Sequence, residues 1–209
     1  MDKEIVALHA FFKSRPGSDQ IATPFALEML RWWLWSRWPL RICEIGAGIG
    51  TLSAIVSEYL VLHPESQAVA VEDDPWCQRQ WRENLNLYPP PVLYDKLPTY
   101  EFFDFLILDG PQMPPEGWTG LEIGATIFIE GNRREQRRDV RRWLHQVGRS
   151  CCETPVRPPD RSKGIWVIRC DPMWWERLLF ALNRLEQWMR DMPARWRGHA
   201  IGKKSYADL

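Results

Sequence analysis

The chain has 209 residues, of which 27 are basic and 27 acidic, so its formal net charge is zero. This length suits one domain with a buried core, and the neutral total gives no support for nucleic acid or an acidic membrane surface as a partner. The five cysteines form an odd set without C-x-x-C or metal-ligand spacing, and no apolar run is long enough to span a bilayer. We therefore expect a cytoplasmic protein with a single domain, residues 1–209, and no transmembrane segment.

The first 39 residues are predicted to form an N-terminal helical segment. Thr23 and Pro24 mark the start of a helix over 24–37, because threonine caps helices and proline suits their first turn. Tryptophan is abundant in the chain, with 13 residues. Four of them lie in or just after this helix, at Trp32, Trp33, Trp35 and Trp38. Their side chains could pack against the sheet, line a pocket for a flat acceptor, or form a homodimer contact with Trp-rich residues near the C-terminus.

Residues 40–171 are predicted to form a sheet core. Apolar runs alternate there with helical periodicity, which is typical of a parallel sheet flanked by helices. Strands are predicted at 40–45, 68–72, 92–94, 103–109, 125–130 and 164–170. Helices are predicted at 51–62, 75–87 and 132–147, with Thr51 and Asp74 as N-caps of the first two.

The order of elements changes after the fifth strand. Residues 150–170 predict two strands joined by a proline-rich loop, and hence an antiparallel edge hairpin on an otherwise parallel sheet. Residues 172–209 predict a C-terminal helix over 172–190, followed by a tail with few apolar anchors. These patterns together predict an α/β fold.

A glycine-rich turn follows the first predicted strand, in the stretch "EIGAGIG". A strand, a glycine turn and a helix together form a place where backbone N–H groups point at a ligand. The dinucleotide-binding pattern G-x-G-x-x-G fails here, because it requires glycine at position 51, where Thr51 stands. The pattern E-x-G-x-G-x-G, from Glu44 to Gly50, is complete. An ordinary tight strand-to-helix turn is the alternative interpretation.

This motif resembles the first motif of the class I S-adenosylmethionine-dependent methyltransferases, and the chain looks most like their small O-methyltransferase-like members. The resemblance implies a Rossmann-like, doubly wound, mostly parallel seven-stranded sheet that binds S-adenosyl-L-methionine. It implies that Glu44 helps to organise the site around the charged methionine moiety. It also implies that the backbone of the turn passes beneath the amino acid and ribose of the cofactor, at Gly46, Ala47, Gly48 and Gly50.

Further acids follow the later strands. Glu72 ends the second strand, 22 residues after Gly50, where a carboxylate can accept both ribose hydroxyls. Asp73 is the alternative ribose ligand. The resemblance implies that Asp95, after the third strand, meets the adenine amino group. It also implies that Asp109, at the end of the fourth strand, faces the methyl donor.

Methyl transfer to a hydroxyl needs a base or a metal. Asp109 is our candidate general base, because the four histidines lie in segments away from the predicted cofactor loop. Asp109 and Glu130 could also hold Mg²⁺, but Asn132 stands one position later than in the metal-dependent relatives. The sequence therefore favours a site without a metal ion. Glu130 could instead cap the next helix or pair with its arginines.

The predicted helix after the fifth strand is rich in arginine. Its arginines within 133–142 are Arg133, Arg134, Arg137, Arg138, Arg141 and Arg142. They could form a solvated face, dock RNA or protein, or let Arg133 or Arg134 bind an anionic substrate. The segment "LDGPQMPPEG" lacks the N/D-P-P-Y motif of methyltransferases that act on DNA-base amines or glutamine.

These observations favour S-adenosylmethionine-dependent O-methylation of a small anionic or aromatic molecule, and they disfavour nucleic acid. Two alternatives stay open. One is an RNA or protein methyltransferase that docks through the Arg-rich helix, and the other is a non-catalytic methyltransferase-like binding subunit.

Overall fold

The computed structural model describes residues 2–86, 89–98, 101–131, 133–158, 164–179, 181 and 182. The chain divides into two compact units, Met1–Pro172 and Met173–Leu209. The first unit contains the sheet. In the second unit residues 174–179, 181 and 182 are helical, as predicted, and the rest of the predicted C-terminal helix and tail lies outside the described residues. The organisation of the chain as a single domain stays a prediction.

Seven strands form one sheet in the first unit. They are β1 (Arg41–Ile45), β2 (Gln67–Val71), β3 (Val92–Tyr94), β4 (Phe103–Leu108), β5 (Leu121–Ile129), β6 (Cys151–Val156) and β7 (Ile165–Cys170). The order in the sheet is β3-β2-β1-β4-β5-β7-β6. Strands β1 to β5 run parallel, whereas β7 pairs antiparallel with both β5 and β6. The predicted α/β sheet with an antiparallel edge hairpin is thus confirmed.

Five α-helices and one short 3₁₀ helix accompany the sheet in the described part of the first unit. They are α1 (Lys3–Lys13), the 3₁₀ helix (Ser18–Gln20), α2 (Pro24–Arg37), α3 (Thr51–Leu62), α4 (Pro75–Asn84) and α5 (Arg134–Gln146). None of the helices in the described residues is both long enough and apolar enough to cross a membrane. Helix α1 lies within the predicted N-terminal helical segment, although the sequence analysis predicted bounds only for the helix over 24–37; its buried residues are Ile5 and Phe12.

Two of the three predicted helix starts are confirmed. The Thr23 side chain accepts a hydrogen bond from the Ala26 N–H, and the Asp74 side chain accepts one from the Cys77 N–H. The third prediction is wrong, because Thr51 is the first residue of α3 rather than its cap. Gly50, with a φ of 97°, occupies the cap position and offers no side-chain oxygen.

The two faces of the sheet are covered differently. Helices α2 and α3 pack on one face, where their buried residues join the apolar side chains of β1 and β4. The other face packs against α5 and the 109–120 connection, which contains no helix. Trp118 of that connection stacks between Phe103 and Trp143, with ring centroids 6.2 and 5.7 Å away. An aromatic stack therefore fills space beside α5 on this face.

The tryptophans of α2 lie toward the amino ends of the strands. Trp33 is buried in the core, and Trp35 contacts Tyr59 edge to face at 5.3 Å. Trp32 is 55% exposed and Trp38 is 69% exposed. Tyr59 belongs to the last turns of α3, the end away from the glycine turn, so Trp35 lies at that end of the helix. Homodimer formation through exposed tryptophans stays a prediction.

Candidate active site

The glycine turn joins three strand ends at the carboxyl edge of the sheet. The Gly46 and Ala47 N–H groups both donate to the Val71 carbonyl, at 3.0 and 3.1 Å. Gly46 has a φ of 82°, and a Cβ built on it would lie 1.7 Å from the Asp109 carbonyl oxygen. The turn is therefore held between the ends of β2 and β4 so closely that only glycine fits at this position.

The acid that follows β2 bonds directly to this turn. One oxygen of Glu72 accepts a hydrogen bond from the Gly48 N–H at 2.7 Å, and the other accepts from the Asp74 N–H at 2.9 Å. The Gln78 side chain donates to the Glu72 carbonyl at 2.7 Å. An ionised carboxylate has about four acceptor sites, so two of them stay available for hydroxyl groups of a ligand.

Glu44 lies buried beneath the turn, at 1% exposure. One of its oxygens accepts a hydrogen bond from the Ser53 hydroxyl, which itself accepts from the Trp81 indole N–H at 2.8 Å. The other oxygen is buried without a hydrogen-bond partner. Burial, against the opposing Ser53 hydrogen bond and together with the nearby charges of Asp109 and Glu72, raises the pKa of Glu44 to about 8. A role of this buried oxygen toward a ligand stays a prediction.

A second cluster of charges follows β4 and β5. The Arg133 guanidinium donates to the Asp109 carboxylate at 3.1 Å and to the Gly110 carbonyl at 2.9 Å. The same guanidinium lies 3.4 Å from the Glu130 carboxylate. Burial raises the pKa of Asp109, whereas the charge and hydrogen bond of Arg133 lower it. Arg133 therefore links the acids at the ends of two neighbouring strands.

A cavity of about 400 Å³ opens between these two clusters. Its lining includes the turn, both strand-end acids and the start of α5, at Gln20, Gly46, Gly48, Glu72, Asp109, Gly110, Pro111, Gln112 and Arg133. None of the α2 tryptophans lines this cavity, so the sequence-based idea that they form an acceptor pocket there is wrong. Trp35 and the following Trp38 contact Tyr59 and His63 at the other end of α3 instead.

The other predicted site residues lie around the cavity rather than in its wall. Ala47 belongs to the same apolar cluster as Trp81. Gly50 lies beside the Trp81 ring. Asp73 accepts a hydrogen bond from Gln112 at 2.8 Å. Asp95 is exposed and follows β3. Their roles toward a ligand stay predictions.

Sequence reasoning missed two glutamines that shape the loop after β4. Gln112 crosses to Asp73, and Gln136 donates to the Gly110 carbonyl at 2.6 Å and to the Gln112 carbonyl at 3.2 Å. Gln136 is buried on the face of α5 that also buries Val140. A polar residue at an otherwise apolar helix position was the available signal.

The metal set of the metal-dependent relatives does not fit this edge. Asp109 and Glu130 already share the Arg133 guanidinium. Within the described residues no group of three or more His, Cys, Asp or Glu side chains could hold a metal ion. Asn132, weighed as a further ligand, lies outside the described residues.

Most arginines of α5 have acidic partners. Arg137 and Arg141 both approach Glu153, at 3.7 and 3.1 Å, and Arg142 contacts Asp139 at 3.0 Å. Arg137 also stacks on Trp166, with its guanidinium carbon 3.9 Å from the ring centroid. The predicted pairing of Glu130 with an arginine of this helix segment is confirmed by Arg133.

A larger cavity, of about 580 Å³, lies at the other end of the strands. Its lining includes Arg41 and Gln67, the first residues of β1 and β2, together with Val92 of β3. It contains none of the glycines of the turn and none of the clustered strand-end acids. In parallel α/β sheets ligands bind at the carboxyl ends of the strands, so we take the smaller cavity as the candidate site.

Known structures resemble this chain in fold. No protein-family model matches the sequence, and no curated protein sequence matches it. An O-methyltransferase from Bacillus cereus in complex with SAH is 14% identical, with a TM-score of 0.59 over 81% of this chain and 91% of that one. The O-methyltransferase TomG from Streptomyces achromogenes, in complex with SAM, is 15% identical, with a TM-score of 0.58 over 82% and 92%.

A third similar structure carries a different name. It is a precorrin-6y C5,15-methyltransferase from Geobacter metallireducens, 15% identical, with a TM-score of 0.52 over 73% of this chain and 90% of that one. At these identities the likeness establishes the fold. The chain therefore has the fold of the class I S-adenosylmethionine-dependent methyltransferases.

Proposed function

We propose that the protein is an S-adenosylmethionine-dependent methyltransferase that acts on oxygen of a small molecule. The observation that carries this proposal is the 2.7 Å hydrogen bond between the Gly48 N–H and Glu72. It joins the glycine turn to the acid after β2, the pair of features that the cofactor's sugar requires. Both line one cavity with Asp109, the candidate general base.

Each group at the turn has a separate task toward the cofactor. Glu72 uses its two remaining acceptor sites for the ribose hydroxyls. The backbone at Gly46 and Gly48 lets the ligand approach where a side chain would project. Glu44 offers its unpartnered oxygen to the cofactor's ammonium group, whose positive charge favours the ionised carboxylate. Asp73 and Asp95 contribute to the sugar and the adenine.

Positioning accounts for most of the expected rate gain. S-adenosylmethionine supplies an electrophilic methyl group when bound. Held at Gly46, Gly48, Glu72 and Glu44, the cofactor would supply that methyl group to an oxygen of the acceptor. The acceptor proton passes to the Asp109 carboxylate. Alignment of donor and acceptor in a closed site is worth about 7 to 11 kcal/mol.

A small acceptor is favoured over RNA or protein by the charge distribution of α5. Three of the five arginines of α5, and Arg133 just before it, have acidic partners, which leaves Arg134 and Arg138 without an ion pair among the described residues. Two cations release few counterions from a nucleic acid backbone. The Arg-rich helix therefore gives little support for a macromolecular substrate.

Isothermal titration calorimetry with S-adenosylmethionine and S-adenosylhomocysteine tests the cofactor assignment. We expect both ligands to bind the full chain, and Glu72→Ala to abolish most of the heat. No heat with either ligand would contradict the proposal. Formation of S-adenosylhomocysteine upon incubation with phenols and carboxylic acids then tests transfer to oxygen. Binding without turnover on any acceptor would favour the non-catalytic subunit.

A further inference from the structure

We propose that the Arg133 guanidinium takes the place that a divalent cation occupies in metal-dependent relatives, so that this chain supplies the positive charge of the site from its own sequence. The inference rests on the proposed function for its catalytic meaning. The geometry itself is independent of that function, because it involves two carboxylates and one guanidinium at neighbouring strand ends.

Arg133 has the contacts expected of a cation in that position. It lies 3.1 Å from Asp109, which follows β4, and 3.4 Å from Glu130, which follows β5. β4 and β5 are adjacent and parallel, so their following residues meet at one edge of the sheet. A guanidinium that approaches both carboxylates neutralises part of the charge that would otherwise attract a metal ion.

The local backbone holds the guanidinium in this position. Gly131 turns the chain with a φ of 76° directly after Glu130, which places Arg133 three residues later beside the same carboxylate. The Arg133 side chain also donates to the Gly110 carbonyl at 2.9 Å, and Gln136 donates to the same carbonyl at 2.6 Å. Arginine stays charged throughout the ordinary pH range, so the positive charge is permanent.

Arg133 also faces the cavity. Its side chain is 31% exposed and belongs to the cavity lining. It has five N–H groups, of which one donates to Asp109 and one to Gly110. The guanidinium therefore keeps N–H groups for an oxygen of the acceptor.

A guanidinium acidifies a bound hydroxyl less than a divalent cation does. The acceptor that suits this site therefore carries an already acidic oxygen, as a carboxylic acid or an acidic phenol does.

Thermal unfolding with and without magnesium or manganese tests the substitution of arginine for a metal. We compare the full-length wild type with Arg133→Met, which keeps the aliphatic stem and removes the charge. Arg134→Met is the matched control, because Arg134 is exposed at the start of α5 and forms no ion pair with an acid among the described residues. Each protein is measured in chloride salts at equal ionic strength.

We expect Arg133→Met to unfold at a lower temperature than the wild type. Millimolar manganese should then raise its melting temperature by about 5 °C, because the cation binds where the guanidinium was. The wild type and Arg134→Met should show no such rise. The double variant Arg133→Met with Asp109→Asn should lose the response to manganese.

Two outcomes would overturn the inference. One is a manganese-dependent rise in the wild type that Asp109→Asn removes, because the metal would then bind beside or in place of Arg133. The other is a folded Arg133→Met variant whose melting temperature manganese does not raise. If Arg133→Met fails to fold, Arg133→Lys serves instead, with a retained charge and no response to manganese expected. Calorimetry with S-adenosylhomocysteine on the same proteins reports on the proposed function separately.

Discussion

The two halves of the carboxyl edge of the sheet are built on different principles. At the ends of β1 and β2, backbone N–H groups of the glycine turn and the acids at these strand ends form the site. At the ends of β4 and β5, side chains from the loop after β4, the turn after β5 and α5 come together. The first half depends on main-chain geometry, whereas the second depends on which side chains the tertiary fold brings into contact.

The charges of the two halves differ in the same way. Glu44 and Glu72 contact hydroxyl and N–H groups, and no cationic side chain of the described residues approaches them. Asp109 and Glu130 share a guanidinium. The first half is thus suited to receive a positive ligand, and the charge of the second half is already partly neutralised. Acids at neighbouring strand ends can thus differ in role: one pair is open to a positively charged ligand, and the other pair contacts a guanidinium of the chain itself.

The largest expected effect is the loss of unfolding free energy when a glycine of the turn is replaced. A Cβ at Gly46 would overlap the Asp109 carbonyl at 1.7 Å, so Gly46→Ala should cost at least about 4 kcal/mol or prevent folding. Gly48→Ala is the control, because its φ of 53° is also left-handed but no atom lies within 4 Å of the added carbon. That variant should lose only about 1 to 2 kcal/mol. Urea denaturation measures both, and equal losses would disprove the close approach.

The next effect concerns pH and the buried Glu44. Its pKa rises from the ordinary value of 4.5 to about 8, so the folded state holds a proton that the unfolded state has lost. The resulting stability is complete below pH 4.5 and is lost as the pH rises to about 8. We expect the unfolding free energy to fall by up to about 1.4 kcal/mol per pH unit within that window.

Glu44→Gln provides the comparison for this slope. Glutamine has a similar size and does not titrate, so the slope should become shallower in urea denaturation at a series of pH values. Ser53→Ala, which removes the hydroxyl that opposes the pKa rise, should leave the titration in place. A slope unchanged by Glu44→Gln would mean that another group titrates.

A smaller effect is expected on S-adenosylmethionine binding, where Glu72 and its neighbour Asp73 should differ. Glu72→Ala removes the acceptor of two N–H groups and should weaken S-adenosylmethionine binding by about 100-fold. Asp73→Ala removes one hydrogen bond, donated by the half-buried Gln112, and should weaken S-adenosylmethionine binding by less than about 10-fold. Calorimetry measures both dissociation constants. The reverse order would make Asp73 the ribose ligand.

The smallest effect tests the predicted adenine contact. Asp95 is exposed and follows β3. Asp95→Ala should leave stability unchanged and should weaken S-adenosylmethionine binding by only a few fold, because an exposed hydrogen bond contributes little net free energy. Glu116→Ala, an exposed acid of the 109–120 connection, is the control. An effect equal to that of Glu116→Ala would remove Asp95 from the site.

Parts of the site followed from sequence because they depend on local chemistry. The glycines at 46 and 48 and the acid at 72 stand at the ends of apolar runs, and parallel strands bring their carboxyl ends to one edge. The cap at Asp74 followed for the same reason, since its side chain bonds three residues ahead. The cap at Thr51 failed, because the close approach of the turn to β4 and α4 decided how α3 begins.

The amino-acid sequence by itself determined the parallel sheet, its antiparallel edge, the glycine turn and the acids beside it. These depend on hydrophobic periodicity and on backbone requirements that neighbouring residues reveal. Only the tertiary structure decided that Arg133 lies between Asp109 and Glu130, that Gln136 supports the loop after β4, and that the α2 tryptophans lie away from the cavity. The position of a long side chain depends on contacts between segments far apart in the chain, which periodicity does not encode.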